Sequence, residues 1–324
     1  MIRLVRMEIL RLWSRRLLKV SASAVLLLVT AIVMIDGAQS SKRDAAAFER
    51  FKAERLAGYD AFVAANPPAA GDGFPSRADV ERDPAGSCFA APITGDAGPG
   101  DVNACGSPPK QPYVTVAKLP DFGRAVAVIC AFAAFLIGAS AAGAEWSAGT
   151  MASLLYWEPR RVRVVLAKVL GLVIVIGMLV IAAEALFSAL ALGAGSARGT
   201  TAGLTSGVWM SYLLLVGRAA LFAGFAATLG FSIAFATRAT AAAVGIAFVY
   251  FAILENLLVA WKVWLSPYVI GRLLFGWLEN GSFVRGSGNE AVALTGVRSG
   301  ITLAIYGLVM LIAATVWFRQ RDVT

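Results

Sequence analysis

The chain has 324 residues, 58% of them hydrophobic, with a mean hydropathy of +0.72 and a formal net charge of +9. That apolar share excludes an ordinary soluble domain, where it is nearer about half. Histidine is absent, which removes the commonest general base and the commonest transition-metal ligand. The basic residues cluster at the ends of apolar runs and not on a polar face suited to nucleic acid.

Residues 1–16 predict an amphipathic interfacial helix. Ile2, Val5, Ile9, Leu12 and Trp13 share one side at helical spacing, while Arg3, Arg6, Glu8, Arg11 and Arg15 line the rest. The apolar run from about Leu17 to Ile35 is long enough to cross a hydrocarbon core of about 30 Å. Small residues near Ala38 and Ser40 also fit a cleavable signal peptide. The long amphipathic lead favours an anchor, so 17–36 is read as the first transmembrane helix.

Residues 37–121 form an extracytoplasmic insertion. Ser41 to Ala65 reads as a helix with Phe48, Phe51, Leu56, Tyr59, Phe62 and Val63 as its apolar stripe. From Asn66 to Pro112 the chain is rich in Pro and Gly and predicts loops. Cys88 and Cys105 lie there; on an oxidising side, a disulfide closing their loop of roughly 17 residues would contribute about 3 kcal/mol. Cys130, inside an apolar run, reads as a small buried hydrophobe.

Residues 122–324 carry five more spans, near Gly123–Ala142, Val164–Leu192, Val208–Ala236, Ala239–Ala260 and Ser299–Phe318. A Gly/Ser/Thr-rich loop, Gly193 to Gly207, separates the third span from the fourth, and Arg238 marks a tight turn between the fourth and fifth. Residues 261–298, with Trp261, Trp264, Pro267, Tyr268 and Trp277, read as an outer re-entrant region at an interface. The fold expected is therefore all-α: a six-helix transmembrane bundle with an amphipathic lead-in, a cytoplasmic elbow at 143–163 and an extracytoplasmic insertion. Basic clusters at 1–16, 143–163, 237–238 and 319–324 put both termini in the cytoplasm of a multi-pass cell-membrane protein. The same clusters favour anionic lipid.

Three ionisable residues lie within apolar runs: Glu184, Arg218 and Glu255. At 1.5 Å per residue each falls about 9–15 Å from the outer end of its span. Such groups are costly in a membrane and pair with one another or face a cavity. Arg218 is expected to pair with Glu184 or Glu255, either shaping the outer end of a translocation path or holding the bundle together.

The elbow is a polar interruption, GAEWSAGTMASLLYWEPRRVRVVLAK, from Gly143 to Lys168. Ala144 to Leu155 reads as a short helix along the membrane, and Pro159 disfavours helix at Glu158. Arg160, Arg161 and Arg163 return the chain to the headgroups before Lys168 enters the third span. The pattern Gly-x-Glu-x-x-x-Gly-Thr, followed by Pro, Arg and Lys, resembles the signature of ABC exporter permeases of the type-two class. The resemblance implies that Glu145, Gly149, Thr150, Pro159, Lys168 and either Arg160 or Arg161 form an element docking on an ATPase subunit. Arg160 directly follows Pro159, where the family commonly has a small residue before its Arg.

The same resemblance implies two ABC ATPase chains as partners, a second permease copy or a paralogue, and ATP with Mg on the ATPase. It also implies export of an amphipathic or hydrophobic substrate such as a drug, peptide antibiotic or lipid. The chain lacks a phosphate-binding loop with its Lys, a metal-ligating Cys pattern and a catalytic nucleophile–base pair, which points to a transport subunit and not an enzyme, with no cofactor of its own. Two other readings compete. A secondary transporter or channel needs ionisable groups near the midplane or an internal repeat, and a membrane-anchored sensor would bind its ligand with the insertion.

Overall fold

Among the described residues of the computed structural model, six helices are long and apolar enough to cross a membrane: Arg16–Ile35, Leu119–Ser147, Val162–Ala197, Ser206–Thr237, Thr240–Trp261 and Gly296–Trp317. The structure describes residues 2–39, 42–65, 77–82, 119–150, 160–198, 204–285 and 291–320. Cys88, Cys105, Pro159 and most of the segment after Thr150 lie outside the described residues.

In chain order the elements are α1 (Ile2–Ser14), α2 (Arg16–Gln39), α3 (Lys42–Ala65), α4 (Arg77–Arg82), α5 (Leu119–Ser147), α6 (Arg161–Arg198) and α7 (Ser206–Thr237). Next come α8 (Thr240–Trp261), a 3-10 turn (Val263–Tyr268), α9 (Ile270–Leu278), β1 (Gly281–Arg285), β2 (Ala291–Thr295) and α10 (Gly296–Gln320). The chain divides into two compact units. One comprises Met1–Ala31, Leu119–Ala189 and Thr205–Thr324; the other comprises Ile32–Lys118 and Leu190–Leu204.

In the first unit, α5, α6 and α7 are the inner helices, with 61%, 56% and 72% of their apolar windows buried, against 17% for α2, α8 and α10. The outer helices turn large apolar side chains such as Leu27, Phe248 and Ile301 outward, as lipid allows. Close approach of α5 and α7 depends on small residues: a Cβ at Gly138 would overlap the carbonyl of Ala227, and one at Gly230 would overlap that of Phe135. The second unit includes α3 and α4, joined by Arg77–Asp60 at 3.0 Å and Lys52–Glu81 at 3.5 Å. Val80 is fully buried there, with Phe48 and Tyr59 also buried.

Three expected boundaries move. The helix of the second span runs on to Ser147, so Glu145 belongs to its last turn and not to a separate elbow helix from Ala144 to Leu155. Nothing in Gly143–Ser147 breaks a helix, and the turn comes only at Gly149, whose φ is +66°. The third span runs on to Arg198, taking in part of the expected loop at Gly193–Gly207, because single glycines weaken a helix without ending it. The region 261–298 is only partly helical: β1 and β2 pair antiparallel, Gly281 opposite Thr295 and Arg285 opposite Ala291. Leu294 of β2 joins Val259 and Val269 in a small apolar cluster.

Candidate functional site

At the end of α5 lies a dense ion cluster. The Glu145 carboxylate accepts from Arg15 Nη2 at 2.8 Å and from Lys168 Nζ at 3.0 Å through Oε1, with Lys168 reaching Oε2 at 2.9 Å. Arg11 approaches Oε1 at 3.4 Å. Lys168 also donates to Glu8 at 2.9 Å. Glu145 and Lys168 are each only 4% exposed. Three elements thus meet on two carboxylates: Glu8, Arg11 and Arg15 come from the lead-in residues, Glu145 from α5 and Lys168 from α6.

Electrostatics explains this gathering. A carboxylate at a helix C-terminus faces the negative end of the helix dipole, and burial adds a desolvation cost that only good ion pairing offsets. Three cations around Glu145 answer both. Arg15 also donates to the carbonyls of Ser140 and Ala141, at 3.3 and 3.4 Å, one to two turns before the end of α5.

Gly149 and Thr150 complete the same helix end. Gly149 takes the left-handed conformation that stops the helix, with no atom of the described residues within 4 Å of where a Cβ would stand. The Thr150 hydroxyl then donates to the Glu145 carbonyl at 3.4 Å and accepts from Arg11 Nη2 at 3.4 Å. Of the remaining motif residues, Arg160 is exposed and caps α6, its carbonyl accepting from the N–H groups of Arg163 and Val164. Arg161 opens α6. Pro159 lies outside the described residues. Sequence reasoning named Glu145 and Lys168 as surface-docking residues, and the structure brings them together inside. It missed Glu8, Arg11 and Arg15 as their partners; the helical spacing of Glu8, Arg11 and Arg15 was the available signal.

A second link ties this end of α5 to the α7–α8 turn. Arg238, left-handed at φ 60°, holds its guanidinium 4.5 Å above the Trp146 ring. Trp146 in turn packs on Phe235, at 5.8 Å between centroids. A Cβ at Gly143 would overlap the hydroxyl and N–H of Thr240, so the end of α5 and the start of α8 touch almost backbone to backbone.

The ionisable residues within the spans have other partners than expected. Arg218 forms no ion pair among the described residues; its carbonyl accepts from Trp277 Nε1 at 3.1 Å. Glu184, fully buried, takes the Tyr212 hydroxyl at 2.9 Å, and the same hydroxyl lies 2.8 Å from the Glu184 carbonyl. Glu255 accepts from Gly271 N–H at 2.9 Å and so caps α9. The positive helix N-terminus supplies what an Arg would have supplied.

That cap rests on a wide turn in α8. Tyr250–Leu254 is a π-turn, closed by the Glu255 N–H on the Tyr250 carbonyl. The Asn256 amide donates to the carbonyls of Phe251 and Ala252. Residues five apart on an α-helix differ by about 140° around the axis, and one extra residue in the turn reduces this to about 40°. Tyr250 and Glu255 therefore face the same way, and the Tyr250 hydroxyl accepts from Ile270 N–H at 3.1 Å beside the Glu255 bond.

An apolar cavity of about 500 Å³ opens among α5, α7, α8 and α9, with Phe132, Phe135, Phe225, Phe248, Phe251 and Phe275 in its wall. Every lining side chain is apolar or absent. Among the described residues there is no group of side chains suited to a metal ion.

Set against known protein families, the chain matches the one described as ABC-2 family transporter protein over residues 10–323. No curated protein matches it.

Proposed function

The chain belongs to the ABC-2 family of transporter proteins and is a multi-pass membrane permease; from that premise we propose that it is the permease subunit of an ATP-driven exporter. ATP and Mg reside on a separate ATPase chain, two of which serve a permease dimer built from two copies of this chain or from this chain and a paralogue. Both termini are cytoplasmic, and the insertion at 37–121 is extracytoplasmic.

The observation that carries this reading is the ion cluster on Glu145. The segment leaving Gly149–Thr150 starts where α1, α5 and α6 are joined through Glu8, Arg15, Glu145 and Lys168. A displacement applied there by an ATPase moves three elements together instead of bending one loop. Pro159, Arg160 and Arg161 are on the same segment and complete the docking face. Glu145 and Lys168 serve docking indirectly, by fixing the helix ends that the elbow joins.

The substrate is amphipathic or hydrophobic: a drug, a peptide antibiotic or a lipid. The cavity of about 500 Å³ supports this, because its wall offers carbon and no charge, and its size lies in the range of about 300–1,000 Å³ common for ligand pockets.

Purification of the tagged permease from native membranes in mild detergent, with partners identified by mass spectrometry, tests the reading. An ATP-binding-cassette subunit is expected with the parent protein and is expected to be lost with Glu145→Lys, which places a fourth cation among Arg11, Arg15 and Lys168. If no ATPase accompanies the parent in several gentle detergents, the exporter reading fails in favour of a secondary transporter or a sensor.

A further inference from the structure

We infer that the α7–α8 turn is a second docking point for the ATPase subunit, with Arg238 as its contact residue and Trp146 as the residue that positions it. The inference rests on the exporter reading above and extends it to a part of the chain that carries none of the motif.

Arg238 occupies a costly conformation. Its φ of 60° and ψ of 15° are left-handed, a region where a residue with a Cβ costs about 1–2 kcal/mol and where glycine is the usual helix-ending choice. The turn does not need Arg for its own closure: the Thr237 hydroxyl bonds the carbonyls of Ile233 and Ala239, at 2.9 and 3.2 Å. Strain retained where a cheaper residue would serve is a pointer to function.

What the strain achieves is placement. The guanidinium carbon lies over the Trp146 ring, 4.5 Å from its centre, and Trp146 sits next to Glu145 in the last turn of α5. Gly143 lets Thr240 pack against the same helix end. The side chain is exposed and has no acidic partner among the described residues. A preset, uncompensated cation beside the elbow suits a carboxylate on the face of the docking protein, and a planar guanidinium held on an aromatic ring still has an open edge for a bidentate pair. Trp146 and Gly149 belong to one helix end, so the Arg238 turn lies beside the point where the elbow leaves α5.

Arg238→Gly separates contact from scaffold, because glycine suits the left-handed turn better than Arg does. With the permease co-expressed with its ATPase, this variant is expected to keep or raise the melting temperature while capture of the ATPase falls roughly tenfold, between the effect of an exposed charge and that of a buried charge pair. Arg238→Lys is expected to recover part of the capture, and Trp146→Leu to lower it without removing the charge. Equal capture by Arg238→Gly and parent overturns the inference while leaving the exporter reading intact. A melting temperature lowered by the Gly substitution overturns it in favour of a structural cap. Normal capture in detergent, with ATP hydrolysis reduced only in vesicles containing anionic lipid, overturns it in favour of a headgroup contact. A parent that captures no ATPase fails the exporter reading itself, and this inference with it.

Discussion

Lys168 and Glu145 are joined through both carboxylate oxygens, at 3.0 and 2.9 Å, with neither side chain more than 4% exposed. The residues of the family motif are therefore not all surface residues. Glu145 and Lys168 belong to a buried joint between helices.

Removing Glu145 leaves Lys168 buried with Glu8 alone and strips Arg15 of its carboxylate. Breaking a buried pair from one side costs about 3–5 kcal/mol, and the surviving Glu8 contact puts Glu145→Ala near the lower bound. Thermal unfolding of Glu145→Gln, Lys168→Met and the double variant in detergent measures the coupling. The double variant is expected to lose clearly less than the sum of the singles; strict additivity would mean that the pair contributes nothing specific.

At Gly149 the expected cost is one of backbone, since no atom of the described residues stands near the missing Cβ. Gly149→Ala should lose about 1–2 kcal/mol through its positive φ, and Gly149→Asn less, because Asn tolerates the left-handed region. Melting temperatures in the order Gly, Asn, Ala, Val are the expected result. An Ala variant as stable as the parent would show that the turn does not require this conformation.

Gly271 faces the two oxygens of Glu255 so closely that a methyl group there would overlap them. Gly271→Ala is expected to expel the carboxylate from α9 and destabilise that helix. In a Glu255→Ala background the same substitution should cost much less, since contacting residues are non-additive. Comparing hydrogen exchange across residues 270–278 in the three variants checks this, and equal effects in both backgrounds would contradict the cap.

Tyr212→Phe deletes the hydroxyl donor to Glu184 and leaves a fully buried carboxyl group without it. Losing one partner of a buried polar pair costs about 1–3 kcal/mol. Replacing both partners, as Tyr212→Phe with Glu184→Leu, should restore part of that stability, measured as melting temperature. A double variant worse than either single would indicate that Glu184 has a further partner.

The spans were legible because each is a long continuous apolar run, and six such runs need no long-range information. Their ends were less so. Ala144 to Ser147 reads equally well as the start of an elbow or the tail of a span, and only the position of Gly149 decides it. The burial of Glu145 was not legible at all, since Arg15 lies 130 residues before it and Lys168 lies 23 after it, in the next span. Arg218 was expected to find an acidic partner because local sequence cannot show that a helix N-terminus and a tyrosine already serve Glu255 and Glu184. The pairing of β1 with β2 was hidden behind the aromatic content of its surroundings. The π-turn left no mark in Tyr250–Leu254, which is ordinary apolar helix by composition.

That turn makes α8 a helix carrying one surplus residue. Drawing the surplus back into regular winding would rotate everything beyond it by about 100° relative to Thr240–Val249. Glu255 would swing off the start of α9, and Tyr250 and Glu255 would no longer face it together. Twisting this span and undocking the short helix would thus be a single event, with Phe248 and Phe251 of the cavity wall at the pivot itself.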